Sequence, residues 1–104
     1  MTQTAIVGWG HLPFGRVEED VEQMIVGAAG AALDDAGIGP ADVDAIFLGW
    51  FNAGMTEQDF GASLVMNGFD ALRYKPATRV ENACATGSAA IYQGMDFIGA
   101  GRGR

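Results

Sequence analysis

Ala77-Thr78-Arg79-Val80-Glu81-Asn82-Ala83-Cys84-Ala85-Thr86-Gly87-Ser88-Ala89-Ala90 is the stretch on which the reading of this chain turns. Ala77 to Glu81 is strand-like. From Cys84 onward the residues are small and read as the first turn of a helix running to about Ala100, with Ile91, Met95 and Ile98 at helical spacing. The junction holds the only cysteine of the chain. A thiol at a helix N-terminus meets the positive end of the helix dipole and free backbone N–H groups. Both favour the thiolate, and the thiolate is the nucleophile. Small neighbours leave room for a sharp turn and for a substrate carbonyl to approach the sulfur. A free cysteine is often just a small buried hydrophobe. The strand–Cys–helix context favours the nucleophile here.

Outward from this junction the order is regular. Thr4-Ala5-Ile6-Val7-Gly8-Trp9 is short, apolar and bounded by glycine, and it predicts a buried strand. His11-Leu12-Pro13-Phe14-Gly15 predicts a loop. Glu18, Glu19 and Asp20 put negative charge where a helix begins. Val21, Met24, Ile25, Ala28, Ala32 and Leu33 form its apolar face, and Gly37 with Pro40 stops it. Val43 to Gly49 predicts a second strand, followed by a loop from Asn52 to Met55. Thr56 and Asp59 resemble a capping box for a helix that carries Phe60, Leu64 and Val65 and stops near Asn67-Gly68. The third strand lies near Ala77 to Glu81. The expected order is β-α-β-α-β-α, an α/β fold with a parallel sheet and right-handed crossovers.

Composition narrows the function. The chain has 104 residues, enough for one domain at most, and 49% of them are hydrophobic, a globular composition. A net charge of −7 argues against nucleic acid and against an anionic membrane surface. The longest apolar run, Met24 to Leu33, is about half of the roughly 20 residues a membrane-spanning helix needs. The N-terminus lacks a basic n-region and a signal core, which predicts a cytoplasmic protein. One cysteine excludes an internal disulfide and a thiolate metal cluster, and the single histidine, His11, argues against a His-based metal site.

Other candidates are weaker. Gly8-Trp9-Gly10 begins a G-x-G-x-x-G pattern, but its third position is Pro13 and no acidic residue ends the second strand. A tight strand-to-loop turn is the better reading. His11 and Cys84 would both lie at the C-terminal edge of a parallel sheet, where sites form. One or two strand spacings, roughly 5 to 10 Å, would separate them, so a direct hydrogen bond is not expected. His11 reads as an exposed loop residue. Glu81 is taken as structural, and Thr86 and Ser88 as small polar residues of a crowded turn. Arg102 and Arg104 suit a helix C-terminus.

Arg79 to Ile91 closely resembles the nucleophile motif of thiolases. Ala5-Ile6-Val7-Gly8, Pro13-Phe14-Gly15, Ala31 to Ile38 and Asp42-Val43-Asp44-Ala45-Ile46 are also similar to that family. The resemblance is greatest to the acetyl-CoA acetyltransferase branch, related to sterol-carrier-protein-X thiolases. It covers nearly the whole chain, and the cysteine motif is its specific part.

The resemblance implies a three-layer α-β-α thiolase-like fold, of which residues 1–104 form an incomplete N-terminal portion with the order β-α-β-α-β-α. It implies an acyltransferase that moves an acyl group between a cysteine and coenzyme A, by 3-ketoacyl-CoA cleavage or acetyl-CoA condensation. Cys84 matches the acylated cysteine, and its backbone N–H matches one oxyanion-hole donor, a role suited to a helix N-terminus. No metal or prosthetic group is implied, and coenzyme A enters as a thioester substrate. The family's catalytic histidines, second cysteine and most coenzyme-A contacts lie downstream of residue 104. The chain alone is therefore expected to be nearly inactive. Its expected partners are an acyl-CoA and a homo-oligomer or complementing thiolase chain. A non-catalytic thiolase-like module that binds a partner chain is the alternative, and an isolated nucleotide-binding domain a weaker one.

Overall fold

In a computed structural model that describes residues 3–51 and 53–104, the chain folds around two helices and a small parallel sheet. Helix α1 spans Val21–Ala36. Asp20 caps its start: the Gln23 N–H donates to Asp20 Oδ1 at 2.8 Å, and the Asp20 N–H donates to Gln23 Oε1 at 2.9 Å. This is a reciprocal capping box. The helix ends at Gly37, whose φ of 69° is left-handed. There the Gly37 N–H donates to Asp34 O and the Ile38 N–H to Leu33 O, the double closure that a left-handed glycine permits.

Strand β1, Ile46–Gly49, pairs in parallel with β2, Ala77–Val80, in the register Ile46↔Ala77 to Gly49↔Val80. The ladder continues at both ends, with the Ile46 N–H donating to Pro76 O and the Trp50 N–H to Val80 O. Helix α2, Thr86–Gly99, crosses β1: the Phe47 and Phe97 rings meet edge to face at 5.8 Å. It ends as α1 does, at a left-handed glycine, Gly101, with the Arg102 N–H donating to Phe97 O. The tail is then fastened to Asp44, which accepts from the Arg104 N–H at 3.0 Å and pairs with Lys75.

Two expected elements differ. Thr4 to Trp9 has no ladder partner and forms no strand. It runs antiparallel along α1 instead. A side chain on Gly8 would strike Ala32 O at 2.6 Å, and one on Gly10 would strike the Ala28 carbonyl and Ala31 Cβ. Two residues of extended chain cover about 6.6 Å, and four residues of helix rise about 6 Å, so two alternate glycines match one alanine ridge. Ile6 and Val7 remain exposed. The second expected helix does not start at Thr56. Its place is taken by a 3₁₀ helix, Gly61–Asn67. Gly61 makes room for the Trp50 ring and Gly68 for Val26, and glycines at both ends weaken an α-helix. Ala62 and Val65 are buried three residues apart, the repeat of a 3₁₀ helix. Of the expected loop Asn52 to Met55, Asn52 lies outside the described residues, and Ala53–Met55 is a single 3₁₀ turn. No helix among the described residues is long and apolar enough to cross a membrane.

The core is small. Ala62, Val65 and Leu72 are its buried apolar residues. The accessible surface is 7461 Å² for 10.9 kDa. A compact monomer of that mass exposes about 5,600 Å². The apolar face expected on α2 is largely open: Ile91 is 53% exposed and Met95 42%, with Ile98 half-buried.

Candidate active site

Cys84 stands in a 3₁₀ turn, Ala83–Ala85, between β2 and α2. The α-helix proper begins two residues later, at Thr86, so Cys84 lies just ahead of the helical N-terminus and not inside its first turn. Its side chain is exposed, and no hydrogen bond or ion pair reaches the sulfur among the described residues. The alternative of a cysteine buried as a small hydrophobe does not hold.

The backbone around it is unusual. Ala83, immediately before the thiol, has φ of 43°. It is the only non-glycine residue with positive φ among the described residues. A left-handed alanine costs about 1–2 kcal/mol, so the turn needs compensating contacts. Thr86 supplies them. It is 7% exposed. Its hydroxyl donates to the Ala83 carbonyl at 2.6 Å and accepts from the Asn82 N–H at 2.9 Å. The Ala85 N–H closes the turn on Asn82 O at 2.8 Å. Two side-chain hydrogen bonds contribute about 1–3 kcal/mol together, enough to offset the strain at Ala83. By sequence alone Thr86 is a small polar residue of a crowded turn; the signal for more is a hydroxyl four residues after Asn82, where it can bond both flanks of the intervening turn.

The other candidates lie apart. His11 is exposed, with its ring edge-on to Phe14 at 5.0 Å. It lines an apolar cavity of 810 Å³ between residues 10–15, the α1 face of Val21, Met24 and Ile25, and β1. Every residue from Ile46 to Phe51 borders that cavity, so the strand presents its edge to it. Cys84 does not line it. Gly8 and Gly10 are occupied by helix packing, which leaves no phosphate cradle. The Trp9 backbone N–H donates to Asp35 Oδ2. Glu81 is exposed. Arg102 covers the Phe97 ring at 5.0 Å. No cluster of three His, Cys, Asp or Glu side chains among the described residues is placed to hold a metal ion.

Residues 4–104 match the family described as thiolase, N-terminal domain. The chain belongs to the thiolase family. The chain is 37% identical over 103 residues to an acetyl-CoA acetyltransferase of Methanocaldococcus jannaschii, covering 97% of this chain and 26% of the relative. It is 34% identical over 103 residues to an acetyl-CoA acetyltransferase of Methanothermobacter thermautotrophicus, covering 97% of this chain and 27% of the relative. The chain thus spans about a quarter of the length of the curated relatives it matches.

Proposed function

We propose that Cys84 is the acyl-accepting nucleophile of a thiolase-type acyltransferase and that these residues supply the nucleophile portion of its site. The observation that carries this reading is an exposed cysteine in a strained strand-to-helix turn, inside a chain matched over residues 4–104 to the thiolase N-terminal domain. The thiolate attacks the carbonyl carbon of an acyl-CoA thioester. A carbon–sulfur bond forms, the carbonyl electrons move to oxygen, and the Cys84 N–H donates to that oxyanion. Collapse breaks the bond to coenzyme A, which leaves as a thiolate and takes a proton. The acyl group then passes to coenzyme A or to the carbanion of a second acetyl-CoA. The names of the two relatives support the acetyl group as the unit moved.

Proton transfer typically contributes about 10²–10⁴ in rate. The only histidine of the chain, His11, borders a cavity that Cys84 does not line. We assign the acid/base steps to residues outside these 104, on a homo-oligomeric or complementing thiolase chain or on a further segment. The surface supports such an association. Its excess over a compact monomer is about 1,900 Å², the scale that one side of a permanent interface buries. In the complete assembly we place these elements within a three-layer α-β-α fold.

Coenzyme A released from acetyl-CoA in the first turnover of the complete polypeptide, separated from the protein and quantified by chromatography, tests the reading. One equivalent of coenzyme A per Cys84 is expected, and none from Cys84→Ser. Equal release from both proteins would overturn it.

A further inference from the structure

We infer that Thr86 is a positioning residue for acyl transfer to Cys84, because its hydroxyl holds Ala83 in the left-handed conformation that presents the thiol. The inference rests on the reading of Cys84 as the acyl acceptor. Three observations converge on one side chain. Ala83 has φ of 43°, a conformation an alanine does not hold unaided. The Thr86 hydroxyl bonds both flanks of Ala83, at its own carbonyl and at the Asn82 N–H. The Thr86 methyl fills the space beside the end of β1, 3.0 Å from where a Gly49 side chain would begin, and Thr86 is buried there. The thiol therefore takes its place from the sheet through Thr86 and not from hydrogen bonds of its own.

A double-mutant cycle between positions 83 and 86 isolates the coupling of the two residues. Glycine populates the left-handed region without the penalty that alanine meets. If Thr86 serves to hold Ala83, its hydroxyl becomes dispensable once position 83 is glycine. The variants Thr86→Val, Thr86→Ser and Ala83→Gly, and the double variant Ala83→Gly/Thr86→Val, are made in the complete polypeptide that carries these residues. Acetylation of Cys84 by acetyl-CoA and its alkylation by iodoacetamide are both followed by peptide mass spectrometry.

The expected result is that Thr86→Val slows acetylation about tenfold or more, the effect of releasing a strained residue, while alkylation changes less than about threefold because the thiol stays exposed. Thr86→Ser restores acetylation to within about twofold, since it keeps both hydrogen bonds. In the Ala83→Gly background the loss from Thr86→Val shrinks below about threefold. Unchanged acetylation in Thr86→Val overturns the inference, as does an equal loss in both backgrounds. If Thr86→Val alone does not fold, the double variant decides: acetylation within about threefold of wild type supports the inference, and failure to fold overturns it. If wild-type Cys84 takes no acetyl group, the acyl-acceptor reading itself falls, an outcome distinct from any difference among the variants.

Discussion

The Thr86 methyl occupies the space into which a Gly49 side chain would project: a Cβ there would lie 3.0 Å from Thr86 Cγ2 and 3.2 Å from the Thr86 carbonyl oxygen. The end of β1 and the start of α2 are thus in direct contact beside Cys84. This contact ties the exposed thiol to the sheet. Gly49→Ala forces the two apart, and two of the three nearest obstructing atoms are backbone that cannot rotate away. Overpacking of this kind costs about 1–3 kcal/mol. A lower urea midpoint with an unchanged slope is expected, together with slower Cys84 acetylation. An unchanged midpoint would show that the contact is slack.

The end of α2 offers a pair of opposite-signed tests. A Cβ on Gly99 meets open space within the helix, so Gly99→Ala should stabilise by about 0.5–1 kcal/mol. Gly101, two residues on, has φ of 70°, and Gly101→Ala should destabilise by about 1 kcal/mol. Chemical denaturation of both variants measures the difference in sign.

Loss of the α1 cap should act on stability alone. Asp20→Ala leaves the Gln23 N–H unpaired and should cost about 1 kcal/mol. Asp20→Asn, which keeps an acceptor, should cost much less. Acetylation of Cys84 should be unaltered by either, measured well below the denaturation midpoint.

The exposed side of α2 should govern association. Ile91 and Tyr92 are 53% and 63% exposed, adjacent to half-exposed Met95. Replacing Ile91 and Met95 by Lys puts two charges on this face. Sedimentation velocity should then show a smaller species than wild type, and binding of a hydrophobic dye should fall. A sedimentation coefficient identical to wild type would remove α2 from the interface.

Much of this was legible in the sequence because local chemistry sets it. The acidic run Glu18, Glu19 and Asp20 marks the start of α1, and Gly37 its end, whatever the rest of the chain does, whereas the Asp20–Gln23 capping box shows only in the structure. The β2–Cys84–α2 junction was readable for the same reason, since a strand pattern gives way there to small residues within a few positions. Thr4 to Trp9 forms no strand because a short apolar run bounded by glycine reports burial potential, whereas a strand also needs a neighbour with free backbone groups. Here Gly8 and Gly10 bring the segment onto the alanine ridge of α1 instead. The Trp50 ring lies where a Gly61 side chain would project, a contact between residues separated along the chain that no local pattern encodes. At the site, the cysteine was visible as a residue type. The conformation of Ala83 was not, because φ of 43° at an alanine is imposed by its partners and leaves no mark in its own identity.

The central claim is that the Cys84 sulfur itself becomes acylated. Peptide mass spectrometry after brief incubation with acetyl-CoA reads this directly. A gain of one acetyl group on the peptide containing Cys84, labile to hydroxylamine as a thioester is, and absent from Cys84→Ser, is the predicted result. An unmodified Cys84 in the complete, folded polypeptide at saturating acetyl-CoA would contradict the account.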